Sequence, residues 1–362
     1  MRALHLFISL LLWYVEALRN PTMNGFAKTI LIWSLSGLTA IAITAHLSIP
    51  TKWGIVSLTL GGEEGILCVS LLVVSLLMLF YSEYQDRKNA DESQLIKIRH
   101  MGLVNHSIDD VQNYMPRSLK RIKPQPFDIE FDNSHKTTNV DDLNQQLSQI
   151  CRLPQTIKDS GRSISNGKKH IVYSGIAPAP MVAAVGHIVS NMQNVHVADW
   201  NREEKKWHFN DELDDGEKLK FERIDNNENV SSVNIVISFS LPVSLRNIKK
   251  EFPNSSLYNI TFESCTYGYD KIRSKSKQTR LAKIILEFIN NNAIPNHQNL
   301  KRINFFVAAQ ASFIFQLGSV LNQGHLPSIA FHHFNPMLDT KTHPWGITFN
   351  DNRYDIVERT SS

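Results

Sequence analysis

The sequence predicts an α/β protein: two copies of one strand, loop, helix and strand unit, preceded by an α-helical and strongly apolar front end. The stretch from Ile171 to Phe209 reads as a short apolar strand, a Gly/Pro/Ala loop, a helix carrying Gly186, a second strand, and a polar turn between Trp200 and Trp207. Laying Gly318 on Gly186 superposes NFFVAAQASFIFQLGSVLNQGHLPSIAFHHF on VYSGIAPAPMVAAVGHIVSNMQNVHVADWNR without a gap, pairing Ala177 with Ala309, Ala179 with Ala311 and Ala198 with Ala330. Composition is otherwise ordinary, with 42% hydrophobic and 20% charged residues, but the apolar ones crowd into the first eighty positions.

From the N-terminus, MRALHLFISLLLWYVEALR has the basic start and apolar run of a signal peptide, yet Trp13, Tyr14 and Glu16 stand where small residues precede a cleavage site. An interfacial or re-entrant helix fits better. No formal charge falls between Lys28 and Lys52, and that length suffices for a bilayer core of roughly 30 Å. A second expected span runs from Gly54 to Tyr81, with Glu63 and Glu64 followed by ILCVSLLVVSLLMLF. Those two carboxylates either line a pore in an assembled ring or sit in a loop outside the bilayer. Arg2, Arg19 and Lys28 precede the first span and Arg87, Lys88, Lys97 and Arg99 follow the second, so both termini are expected in the cytoplasm. Residues 1–83 then make a membrane module. The three cysteines, Cys68, Cys151 and Cys265, show neither metal nor disulfide spacing, which fits a reducing compartment.

Residues 84–125 are polar and mixed in charge, as in a linker. Within them, Arg117, Lys120, Arg121 and Lys123 form a basic cluster, read as a solvated or lipid-facing patch or as a ligand site. A net charge of +4 gives no argument for a DNA or RNA partner. A soluble domain is expected over 126–358, with halves at about 126–230 and 231–358. PFDIEFDNS alternates as a half-buried strand, and Leu143, Leu147, Ile150 and Leu153 recur at helical spacing. KLKFERI closes the first half. VNIVISFS, SLYNITFES, a helix over about 274–290, KRINFFVAA, a second Gly-bearing helix, LPSIAFHHF and WGITF then build the second. Strands alternating with helices argue for largely parallel sheets covered by helices.

In such sheets ligands lie beyond the carboxyl ends of the strands, where loops enter helices. Those loops are Ser174-Gly175-Ile176-Ala177-Pro178 and Ala308-Ala309-Gln310-Ala311-Ser312. Each leads to a helix N-terminus, whose free N–H groups and positive dipole end hold anions such as phosphate. Two such loops facing one cleft match a ligand with repeated phosphates in a ring. Gly175, Ile176, Pro178 and Ala309 are candidates for close backbone approach, although a tight packing turn explains the same residues. Gln310 and Ser312 offer side-chain donors, or cap the following helix. Trp200 offers a face for a nucleobase, or shares a hairpin core with Trp207. Ser238, Ser240 and Thr266 follow the two leading strands of the second half, and Arg202, Lys205 and Lys206 offer positive charge on a turn that is otherwise simply solvated. His332 and His333, adjacent on a strand, point to opposite faces. No zinc, P-loop or Ser/Cys-hydrolase pattern occurs, so neither a metal nor a catalytic role is expected.

HIVYSGIAPAPMVAAVGHIVSNMQNVHVADWNREEKKWHF resembles the first half of a SAVED domain, in which a strand runs into a Gly-x-Ala-x-x-Pro turn, a Gly-containing helix, and a strand ending near Asp-Trp. INFFVAAQASFIFQLGSVLNQ resembles the second half, with Gln310 and Ser312 where the family has small residues and a Pro. The resemblance covers roughly residues 126–349. It implies two fused CARF-type, Rossmann-like halves that sense a cyclic oligonucleotide made by a cGAS/DncV-like nucleotidyltransferase in CBASS anti-phage defence. With an N-terminal pair of transmembrane helices it further implies a membrane effector of the bacterial inner membrane. Binding of a cyclic di- or trinucleotide, with no other cofactor, would drive homo-oligomerisation, permeabilise the lipid bilayer and kill the infected cell. The other reading is a membrane-tethered nucleotide-processing enzyme or regulator in which the helices only anchor the chain.

Overall fold

The computed structural model describes residues 30, 34, 49–51, 54–56, 62–102, 108–122, 124–132, 139–160, 168–225, 227–269, 271–321, 326–338, 341–350 and 353–358. The chain divides into two compact units, Met1–Asp91 and Glu92–Ser362.

In the first unit, strands β1 (Ile49–Thr51) and β2 (Gly54–Val56) form an antiparallel ribbon, with Thr51 opposite Gly54. Helix α1 covers Gly62–Asp91. The expected second span therefore does not run as one helix from Gly54. Glu63 and Glu64 fall in the first turn of α1. The uncharged run from Ile66 to Phe80, apolar except for Ser70 and Ser75, is fifteen residues, or ~22 Å of helix at 1.5 Å per residue, against the roughly 30 Å of a bilayer core. Among the described residues no helix is long and apolar enough to cross a membrane. Val73, Leu77 and Phe80 on α1 are nonetheless exposed. The expected interfacial helix over 1–20, and nearly all of the expected first span, lie outside the described residues.

The second unit opens with β3 (Gln94–Met101), a 3-10 turn (Val111–Tyr114), the short α2 (Arg117–Lys120) and β4 (Pro124–Asp132). Helix α3 (Val140–Cys151) starts at Asn139, whose side chain accepts from the Asp141 N–H, and α4 (Leu153–Ser160) follows. Then come β5 (Lys169–Ile176), α5 (Ala179–Ile188), β6 (Val195–Asn201) and β7 (Lys206–His208). Next are β8 (Leu219–Arg223), β9 (Ser232–Ser238), α6 (Leu245–Glu251) and β10 (Ser256–Phe262). Helix α7 (Lys275–Phe288) runs into a π turn at Ile289–Ala293, followed by β11 (Arg302–Ala308), α8 (Ala311–Leu321), β12 (Ser328–His332), β13 (Trp345–Asn350) and β14 (Arg353–Glu358).

Among the described residues, one sheet has the order β4-β3-β5-β6-β7 and the other β14-β13-β12-β11-β9-β10-β8. Within each, four strands are mutually parallel and follow the same winding: second, first, third, fourth. The predicted duplication is therefore one of topology, since β5-α5-β6 and β11-α8-β12 occupy equivalent places. Two boundaries differ from expectation. Residues 94–101, expected in the linker, are the leading strand of the first sheet, because Ile96 and Ile98 reach the core while Lys97, Arg99 and His100 break the apolar pattern. β8, expected to close the first half, is an antiparallel edge of the second sheet, pairing Phe221 with Ile260.

The halves meet through α5 and α8. A Cβ at Gly186 would lie 2.1 Å from the Phe315 carbonyl oxygen, and one at Gly318 would lie 2.3 Å from that of Ala183. The offset of 132 residues relating Gly186 to Gly318 also relates Ala183 to Phe315. Each glycine thus receives the partner helix's equivalent backbone, the reciprocal contact of a two-fold axis. Met181, Val185, Phe313 and Leu317 on these helices are fully buried between the sheets' apolar faces.

Candidate functional site

Both strand-to-helix loops open at the same end of the second unit. Ser174 on β5 pairs with Ala198 on β6, which sets Gly175 level with Asp199. Asp199 in turn reaches across to α8: its Oδ1 accepts from the Ser312 N–H at 2.8 Å, and its Oδ2 accepts from the Ser312 hydroxyl and, at 3.0 Å, from Asn210 Nδ2. The anion at the N-terminus of α8 is thus the protein's own carboxylate. Ser312 is fully buried and also accepts from Gln278 Nε2 at 2.7 Å.

Beneath the crevice the polar chain continues into the first sheet. His100 Nδ1 lies 3.0 Å from the Tyr173 hydroxyl, and both groups are buried. Burial pushes the His100 pKa down to about 3, so the imidazole is neutral. Burial, reinforced by the Asp199 charge, raises that of Tyr173, so the phenol keeps its proton. The Tyr173 ring packs on Phe315 with centroids 5.0 Å apart. A Cβ at Gly175 would sit 2.4 Å from the Tyr173 oxygen, which gives Gly175 a packing reason of its own.

The other expected residues divide between wall and scaffold. Ile176 and Pro178 are buried; the Ile176 carbonyl accepts from the Gly102 N–H, and the Pro178 carbonyl accepts from Met181 and Val182. Pro180 has no N–H, so the first turn of α5 offers an anion fewer donors than a regular helix start. Ala309 and Gln310 are half-buried in the second loop, where Gln310 Oε1 accepts from the Ile272 N–H at 2.7 Å. Ser240 is buried and its N–H donates to the Ala308 carbonyl at 2.8 Å, beside the same bond from Phe239. This is the point between β9 and β11 where the winding reverses, the place at which α/β sheets open a crevice.

Thr266 is exposed on the loop after β10, with its hydroxyl 2.8 Å from that of Ser264. Trp200 pairs across the β6-β7 hairpin with Trp207, rings edge to face at 5.3 Å, while Trp207 Nε1 donates to the Asp109 carbonyl. Trp207 is buried, whereas Trp200 is only partly buried. Lys205 and Lys206 are exposed on that hairpin. His332 stacks on Phe306 and His333 on Trp345, consistent with opposite faces. Among the described residues no three His, Cys, Asp or Glu side chains are placed to hold a metal.

The loop joining β10 to α7 carries what the sequence did not announce. Tyr267 and Tyr269 project into solvent on either side of Gly268, whose N–H donates to the Phe239 carbonyl at 3.1 Å. The Arg202 guanidinium, from the turn between β6 and β7, lies 5.6 Å over the Tyr269 ring. Lys271 bonds the Thr266 carbonyl and lies over the Phe262 ring. Exposed tyrosines flanking a glycine were the available signal for this loop. Asp199 announced itself only as the residue before Trp200, and Gln278 gave no signal.

This is a duplicated, doubly wound α/β domain with loops from both halves converging at one end, at the carboxyl ends of the parallel strands where such sheets open a crevice. The family follows directly: residues 153–349 match the model for the SMODS-associated and fused to various effectors sensor domain, and the chain belongs to this SAVED family. No curated protein matches. Among solved structures, the Acinetobacter baumannii Cap4 SAVED/CARF-domain containing receptor with the cyclic trinucleotide 2'3'3'-cAAA is similar at 12% identity, with a TM-score of 0.46 over 82% of this chain and 59% of that one. The same receptor with 3'3'3'-cAAA gives 11% identity and a TM-score of 0.45 over the same shares. The Moraxella osloensis Cap4 SAVED/CARF-domain containing receptor gives 11%, 0.41, 82% and 59% respectively. The chain spans 59% of the length of these Cap4 chains.

Proposed function

We propose that this chain is a receptor for a cyclic oligonucleotide of CBASS-type anti-phage signalling, with the ligand bound where the loops after β5, β9, β10 and β11 converge. The observation that carries this is the convergence itself: two equivalent βαβ units of a SAVED-family chain open at one end, joined by Asp199 and Ser312. Recognition would rest on backbone groups of the loops, on exposed aromatic faces and on cations at the rim, because the α8 N-terminus already holds a carboxylate. The test is calorimetric titration of the purified chain with cyclic di- and trinucleotides. Saturable binding of one of them supports the reading, and absence of heat across the set refutes it.

Within the same reading the chain is an effector and not an enzyme. Ligand binding drives homo-oligomerisation, and the N-terminal unit then acts on the bacterial inner membrane. Support for a membrane role is the apolar run of α1 with Val73, Leu77 and Phe80 exposed; several copies are needed, because one helix encloses no pore. Dye-filled liposomes test it: leakage with the nucleotide recovered intact supports the effector, whereas nucleotide cleavage without leakage supports the nucleotide-processing enzyme.

A further inference from the structure

Tyr269 and Arg202 stand out at the rim of the crevice because they come from opposite halves and meet in solvent. The loop that carries Tyr269 is fastened on both sides. Gly268 is held by the Phe239 carbonyl, and Ile272 is held at its N–H by Gln310 and at its carbonyl by Gln278 Nε2 at 2.8 Å. The position of Tyr269, 53% exposed, is therefore built rather than incidental. On the other side, the Glu203 and Glu204 N–H groups are turned back onto Asn201 Oδ1, and the Glu204 carboxylate lies 3.3 Å from His208. That arrangement leaves the Arg202 guanidinium over the Tyr269 ring.

We propose that Tyr269 and Arg202 together recognise one nucleotide unit of the ligand: a base stacks on the Tyr269 face now covered by the guanidinium, and the guanidinium moves to the adjoining phosphate. The inference rests on the cyclic-oligonucleotide reading and specifies which residues read the ligand. A planar ring accepts any base through its π face, and a guanidinium matches a phosphate through paired donors. The pair also joins the first half to the second, so a ligand that occupies it bridges both.

The experiment titrates the full chain, wild type and variants, with 3'3'3'-cAAA, 2'3'3'-cAAA and cyclic dinucleotides. Y269A is expected to lose roughly tenfold to hundredfold in affinity, the range that follows from losing one base stack, while Y269F, which keeps the ring, stays within about twofold. R202A is expected to bind more weakly and to lose less affinity with added salt, since one screened charge contact is gone. Wild-type binding with Y269A unchanged overturns this assignment and leaves the receptor reading standing. Absence of wild-type binding to every nucleotide in the set overturns both.

Discussion

Placing a methyl group at the crossing of α5 and α8 probes the duplicated architecture most sharply. In Gly186→Ala the new Cβ would meet the Phe315 carbonyl oxygen at 2.1 Å and its carbon at 2.8 Å. Ordinary contact begins near 3.4 Å, so α5 and α8 must separate by about 1 Å in a tightly packed interior. Overpacking of this kind costs about 1–3 kcal/mol, which for a domain of this size lowers the melting temperature by roughly 2–12 °C. Gly318→Ala meets the Ala183 carbonyl oxygen at 2.3 Å and should cost a similar amount. Because one separation of the helices relieves both clashes, the double variant should lose clearly less than the sum of the two singles. Thermal unfolding followed by circular dichroism measures all three. Unchanged melting in either single variant, or strict additivity in the double, would refute the reciprocal crossing.

Replacing Asp199 with Ala leaves the Ser312 N–H and hydroxyl without their acceptor, and should destabilise the domain by about 2–4 kcal/mol, more than Ser312→Ala; denaturant unfolding of both gives the comparison. The Arg280 side chain, donating through Nε and Nη2 to the Asp214 carboxylate, holds the Asp214 pKa down at about 2. A depressed carboxylate contributes stability at neutral pH that is lost as pH falls from about 4 towards 2, so D214N should flatten that part of the acid-unfolding curve. Burial holds His100 near 3 and His187, His196 and His333 near 4. Below their ordinary value of 6.5 the unfolded chain takes up protons that the fold refuses, so stability should decline from pH 6.5 towards 4. His187→Phe, beside Phe349 and Tyr354, should lessen that slope.

Much of this fold was legible in the sequence because the two βαβ units repeat the same apolar strand, small-residue loop and Gly-bearing helix. Gly186 and Gly318 aligned for a reason that only the packing discloses: each makes room for the other helix's backbone. β3 was missed because Lys97, Arg99 and His100 interrupt its apolar pattern, yet Lys97 is partly buried against Asp110 and His100 against Tyr173. β8 was assigned to the wrong half because an edge strand's alternation does not say which sheet it joins. In the candidate loops, the contacts that hold the side chains were not legible. Ser312 reads as a free donor in one dimension, whereas the carboxylate that claims it lies 113 residues away in the chain. Trp207 stands opposite Trp200 across the hairpin, a pairing that was one of two readings open in the sequence. At the front end, apolar character alone gave no sign of the ribbon at 49–56 that begins α1 only at Gly62.

The central claim, that the crevice at the carboxyl ends of both sheets is where a cyclic oligonucleotide binds, is tested most directly by hydrogen exchange of the full chain with and without a cyclic trinucleotide. The account predicts slowed exchange in 177–182, 239–244, 264–272 and 308–312 together, with the opposite ends of the strands unchanged. Protection confined to one half, or found instead around the starts of β5, β6, β9 and β11, would contradict it.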